Sequence, residues 1–186
     1  MINTLSTKIV LILAAHSHLS PAPDEIEVYI YGMECFLNTA ITILILFIWG
    51  ILTNTLLETC SWIIAFSILR HHVGGLHAPT QFACITSSCL LGISNYLVIN
   101  LFSYQKFLIC ILYTIFFAIC ILFAPGDTSK YKLTQKILKK EKAYSVAIVL
   151  IEFVISLFLR NKISVSITYS VIYVCILLLL KKRRAH

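Results

Sequence analysis

The chain has 186 residues, 59% of them hydrophobic and 12% charged, with a formal net charge of +7 at pH 7 and a mean hydropathy of +0.91. A soluble domain carries about 25% charged residues, so a soluble globular enzyme is excluded and an all-α polytopic membrane protein is expected, with nothing left over for a separate soluble domain. Lys and Arg fall in short segments between and after apolar stretches and not on one folded face, which fits membrane topology and anionic lipid headgroups and argues against a nucleic-acid partner.

In chain order, Ile9 to Ala15 is too short for a signal-peptide core, has only Lys8 on its flank, and is followed by His16 and His18 where a cleavage site should lie. Ile2, Leu5, Ile9, Ile12 and His16 share a helical face, so residues 1–20 are expected to form an interfacial helix along the membrane surface. Ser20-Pro21-Ala22-Pro23-Asp24 ends it as a rigid turn. The apolar region from Val28 to Leu69 is too long for one span and predicts a helical hairpin, with its turn in Gly50 to Thr55. A polar, glycine-containing interval from Arg70 to Gln81 follows. Two further spans, Phe82 to Phe102 and Phe107 to Phe123, flank a tight turn at Ser103-Tyr104-Gln105-Lys106, and Ala124-Pro125-Gly126-Asp127 closes the second of them.

Lys130, Lys132, Lys136, Lys139, Lys140 and Lys142 face a single acid, Glu141, so the positive-inside rule assigns this segment to the cytoplasm. A fifth span is expected from Tyr144 to Leu159, carrying Glu152, which is costly in lipid and should face the protein interior. After Arg160-Asn161-Lys162 a last span runs to Leu180, and Lys181-Lys182-Arg183-Arg184 anchors the end. The expected transmembrane region is 28–180, about six helices of roughly 18 residues or more. Both ends and the Arg70 to Gln81 interval then lie in the cytoplasm. The seven cysteines, Cys35, Cys60, Cys84, Cys89, Cys110, Cys120 and Cys175, are odd in number and lack paired spacing, so they read as mainly free thiols.

Chemistry concentrates in Arg70-His71-His72-Val73-Gly74-Gly75-Leu76-His77-Ala78-Pro79-Thr80-Gln81-Phe82-Ala83-Cys84. A cysteine attacks as its thiolate and needs an imidazole to take its proton. On one continuous helix, residues seven apart are separated by about 10 Å along the axis, too far for proton transfer. The chain must therefore break between His77 and Cys84. Pro79 supplies the break, and Gly74-Gly75 lets the preceding loop double back and hang His77 over the start of the next span. Free amides at that helix start would help to hold a carbonyl oxyanion. Taken singly, the bland reading of each part is a buried thiol, a solvated histidine and a turn. Their combination is specific.

On these residues the chain resembles the accessory gene regulator B (AgrB) family of membrane peptidases, which mature autoinducing peptides in quorum sensing. Arg70, Gly74, Gly75, His77, Ala78 and Cys84 carry the match at the family's spacing. It extends through Tyr31-Gly32-Met33-Glu34 and through Ala124-Pro125 with the lysine-rich segment after it. The resemblance implies a catalytic dyad of His77 and Cys84, with Arg70, Gly74 and Gly75 supporting activity or fold. Glu34, by its place at the cytoplasmic entrance of the first span, is a candidate third member that orients His77, the bland reading being an interfacial carboxylate. The resemblance also implies an AgrD-like precursor peptide as substrate, cleavage through a Cys84 thioester, closure of a (thio)lactone ring by a residue of the peptide, and a homodimer. No cofactor is expected. A zinc site would need a His-Glu-x-x-His, a paired cysteine motif or a nearby carboxylate beside His71, His72, His77 and Cys84, and none is present. Serine and aspartyl intramembrane proteases fit worse: Gly92-Ile93-Ser94-Asn95 lacks a second glycine and Asp127 has no partner. The competing class is a small membrane transporter or assembly subunit, for which the sequence offers no inverted repeat.

Overall fold

A computed structural model describes residues 2–16, 23–74, 80–125, 135–159 and 161–184. These form helices α1 (Ile2–His16), α2 (Pro23–Leu52), α3 (Leu56–Val73), α4 (Gln81–Leu101), α5 (Lys106–Phe123), α6 (Gln135–Leu159) and α7 (Lys162–Arg184), with no strand among the described residues. Five of them, α2, α4, α5, α6 and α7, are long and apolar enough to cross a membrane, and the chain is a multi-pass membrane protein. α3, in the place of the second expected span, has 18 residues but opens with Glu58 in its first turn and closes with Arg70, His71 and His72 in its last. Its uninterrupted apolar stretch is correspondingly shorter.

The expected hairpin turn falls at Thr53-Asn54-Thr55. Asn54 takes φ 54° there, a left-handed conformation that asparagine tolerates better than most side chains. The turn closes its own polar groups: Thr53 N–H donates to Trp49 O at 3.0 Å, Thr55 N–H to Gly50 O at 2.9 Å, and the hydroxyls of Thr53 and Thr55 lie 2.7 Å apart. α6 begins at Gln135, well before the expected start at Tyr144. The intervening Lys136, Leu138, Lys139, Lys140, Glu141 and Lys142 are strong helix formers, so the lysine-rich segment continues the span as helix. For the same reason α7 runs on through the basic cluster to Arg184.

The chain falls into two compact units. The first comprises Met1–Ile45 with Ala78–Cys89, the second Leu46–His77 with Leu90–His186. In the second unit α7 is the central helix: 50% of its apolar stretch is buried, against 22% in α5 and in α6. Small serines on α7 allow close packing, and their hydroxyls bond across helices. Ser164 donates to Ser156 O of α6 at 2.7 Å, and Ser166 to Glu58 O of α3 at 2.7 Å and Asn95 Oδ1 of α4 at 3.1 Å. Around them Trp62, Phe66 and Leu69 of α3, Tyr113 and Phe116 of α5, Val149 of α6 and Val171, Val174 and Leu178 of α7 form the core. The buried residues of α6, Ser145, Val149, Glu152 and Ser156, form a single stripe, so Glu152 does face the interior.

In the first unit, Asn3 of α1 donates to Glu34 Oε1 of α2 at 2.6 Å. α1 buries Ser6 and Val10 and leaves Leu5, Leu11, Ile12 and Leu13 exposed. The Leu5–Ile12 face thus stays exposed, while Ser6 and Val10 do the packing.

Candidate functional site

The site residues come from two helix ends. α3 terminates because Gly74 adopts φ 72° and ψ −157°, a region open essentially only to glycine. Its N–H still donates to Arg70 O at 3.0 Å, which closes the last helical turn before the chain departs. Arg70 lies with its guanidinium carbon 5.7 Å from the centroid of Phe66, stacked along its own helix. The α3 terminus is fixed to α6 by a contact not anticipated from sequence: His72 Nδ1 and Glu141 Oε2 lie 2.7 Å apart, both partly exposed. Tyr144 packs edge-on against the His72 ring at 5.3 Å, with Lys140 5.6 Å from the Tyr144 centroid.

α4 starts at Gln81 with Thr80 as its cap. Thr80 Oγ1 accepts the Ala83 N–H at 3.2 Å, and Thr80 O accepts the Cys84 N–H at 3.0 Å. Cys84 is thus the fourth helical residue and the first whose amide enters the helical ladder. The break expected between His77 and Cys84 is present, since α3 ends at Val73 and α4 begins at Gln81. His77, Gly75, Ala78 and Pro79 lie outside the described residues. The helix-start amides are only partly open: those of Ala83 and Cys84 are already bonded, leaving Gln81 and Phe82 as the helical residues without an intrahelical acceptor.

Cys84 is partly buried. Within the first unit, Tyr31 of α2 shares a hydrogen bond with Cys35 and lies within electrostatic reach of Cys84 and Glu34. Glu34, the candidate third member, has Oε1 occupied by Asn3. One turn further along α4, Ser87 donates to the Cys84 carbonyl at 3.0 Å. Cys89 points elsewhere, as its spacing from Cys84 predicts, and shares a hydrogen bond with Thr42 of α2.

Sequence reasoning missed Thr80 as the cap, the Tyr31 neighbourhood and the His72–Glu141 pair. The first was signalled by a threonine directly after Pro79 and before an apolar run. The second was half-signalled by Tyr31, Glu34 and Cys35 lying on one side of α2 at helical spacing. The third joins residues too far apart in sequence to be paired by inspection.

Cys84 thus stands at the start of a membrane helix, within electrostatic reach of Tyr31 of α2. The family model for accessory gene regulator B matches residues 6–178. The chain belongs to the accessory gene regulator B family. Among curated relatives, an accessory gene regulator protein B from Staphylococcus aureus strain Newman is 27% identical over 148 residues, covering 80% of this chain and 78% of the relative. That of strain MW2 is 29% identical over the same length, with 74% of the relative covered. That of Staphylococcus carnosus strain TM300 is 28% identical over 131 residues, 70% of this chain and 68% of the relative. No solved structure matches the chain.

Proposed function

We propose that this chain is a membrane cysteine endopeptidase that processes a small AgrD-like precursor peptide, with Cys84 as nucleophile and His77 as its base. The observation that carries the reading is a partly buried Cys84 on the first turns of a membrane helix, in an AgrB-family chain that also holds Arg70, Gly74, Gly75 and His77 at the family's spacing. Cys84 sulfur attacks the scissile carbonyl after its proton passes to His77. The C–N bond then breaks, and the amine of the released tail takes that proton. The acyl segment remains as a thioester on Cys84. A thiol of the peptide, deprotonated by His77, displaces Cys84 and closes the ring. Exchange of one thioester for another is nearly balanced in energy, so the second step needs no further input.

The lysines of α6 and the basic end of α7 support a cytoplasmic placement of these ends and of the site. They also offer charge for an acidic precursor tail. A homodimer in the cell membrane completes the reading. The test is intact mass spectrometry of the protein mixed with an AgrD-like precursor peptide. Cleavage is expected with the native chain and abolished in Cys84→Ala, and a precursor lacking its internal cysteine is expected to accumulate as an adduct on Cys84. Cleavage that survives in Cys84→Ala would defeat the proposal and favour a non-enzymatic membrane subunit.

A further inference from the structure

His72 makes more contacts than a histidine at the exposed end of a helix needs. Its Nδ1 lies 2.7 Å from Glu141 Oε2 of α6. Its ring meets Tyr144 of α6 edge-on, with centroids 5.3 Å apart, and the neighbouring His71 ring at 5.1 Å. Tyr144 is covered in turn by Lys140, whose Nζ lies 5.6 Å from its centroid. The side chains of the His72–Glu141 pair are 25% and 29% exposed, and an ion pair so placed adds little to stability. Stability alone is therefore a poor reason for it.

Charge favours the same contact. α3 ends in Arg70, His71 and His72, and the start of α6 carries Lys136, Lys139, Lys140 and Lys142. Two basic helix ends repel one another. Glu141 is the single acid from Lys130 to Lys142, and it stands at the point where α6 meets the end of α3. Leu69 and Val73 are fully buried and hold the inner side of the last turns of α3. Apolar packing has no direction, so it leaves the rotation of the helix end open. A side-chain hydrogen bond of 2.7 Å is directional and sets it.

The chain that follows gives the bond a purpose. Gly74 leaves α3 at φ 72° and ψ −157°, and its N–H is bonded to Arg70 O in the same turn as His72. His77 comes three residues later, at most ~11 Å from Gly74 by chain length. Where the last turn of α3 is held therefore bounds where the imidazole can be. A general base must stand within hydrogen-bond reach of the proton it takes. An error of about 1 Å in such a placement can cost on the order of 10²-fold in rate.

Resting on the reading of His77 as the base for Cys84, the geometry points to Glu141 and His72 as a positioning pair for that reaction. The Glu141 carboxylate holds the α3 terminus through His72 and so sets the place from which His77 reaches the thiol. Both residues act through His77 and neither takes part in the chemistry.

The test reads Cys84 chemistry on the full chain in proteoliposomes, with p-nitrophenyl acetate as the probe. The ester acetylates the sulfur and releases nitrophenolate, and a base that takes the thiol proton speeds the step. Peptide mass spectrometry locates the acetyl group, with the exposed thiol of Cys35 as an internal reference. Glu141→Ala and His72→Ala should each slow the acetylation of Cys84 by about tenfold, part of what a misplaced base loses, and leave Cys35 unchanged. The double variant should be no slower than either single one. In a His77→Ala background Glu141→Ala should have no further effect, because no base is left to position. Glu141→Gln, which keeps an oxygen for His72 without the charge, should recover part of the rate. Equal acetylation of Cys84 in the native chain and Glu141→Ala would overturn the assignment. So would a loss of the same size in the His77→Ala background, which would mark a general loosening of the protein. A native chain whose Cys84 reacts no faster than in His77→Ala would instead defeat the base reading itself, and the positioning role with it.

Discussion

Two glycines of this chain should respond with opposite sign to the same substitution. Gly74 closes α3 at φ 72° and ψ −157°, where a Cβ is strained whatever the space around it. Holding alanine there costs about 1–3 kcal/mol. Release of that strain would unwind the last turn and give up the bond from Gly74 N–H to Arg70 O, itself worth about 1 kcal/mol. Either route destabilises the helix end from which the chain leads to His77. Gly32 lies inside α2, and a Cβ added to it meets nothing within 4 Å. Alanine there should stabilise by about 0.5–1 kcal/mol, because glycine loses more backbone entropy on forming a helix. The two variants should therefore differ by at least about 1.5 kcal/mol, measured as reversible unfolding in mixed detergent micelles followed by far-ultraviolet circular dichroism. Shifts of the same sign, or a Gly74→Ala variant as stable as the native chain, would refute the argument from backbone conformation.

Three other outcomes follow from the packing. Maleimide should label Cys35 in the folded protein, but Cys89, Cys120 and Cys175, which are buried, only after unfolding; labelling at equal rates would contradict the burial pattern. Glu141→Gln weakens a pair whose side chains are 25% and 29% exposed, so it should cost no more than about 1 kcal/mol, and a loss above about 2 kcal/mol would mean that the His72 contact is more than a surface clamp. Ser166→Val removes the hydroxyl that serves Glu58 O and Asn95 Oδ1 and should cost about 0.5–2 kcal/mol in unfolding experiments.

Helix positions were legible because apolar length is a one-dimensional property. The hairpin turn at Thr53 to Thr55, the tight turn before Lys106 and the inward face of Glu152 all lay on the surface of the sequence. The extension of α6 back to Gln135 was less visible, because a lysine run signals topology and helix at once, and only the first meaning separates loop from span. On α1 the periodicity correctly marked an apolar face, yet burial fell on Ser6 and Val10, since in a membrane an apolar face has lipid as an alternative partner. Around Cys84, the helix break was implied by Pro79, whereas the commitment of the Cys84 amide follows from Thr80 acting as the cap. The nearness of Tyr31 to Cys84 depends on the register of two helices that are not consecutive, which no local pattern encodes.

The polar groups of the spans divide by whether their valences close. Ser164, Ser166 and the pair Tyr113–Ser156 bond one another or backbone carbonyls across helices, which is sufficient reason for hydroxyls in an apolar core. Glu152 Oε2 finds no partner among the described residues, but Glu152 is only 6% exposed and lies among the α5, α6 and α7 side chains. Asn38 differs from both. It is only partly buried, and its Oδ1 has no hydrogen-bond partner among the described residues. Replacing it with leucine should leave the protein at least as stable as before, with a gain of about 1 kcal/mol from removing an unpaired amide oxygen. Thermal unfolding of Asn38→Leu in the same micelles measures this directly. A loss above about 1 kcal/mol would show that the amide is already used in holding the helices together, and the argument from its unpaired oxygen would fail.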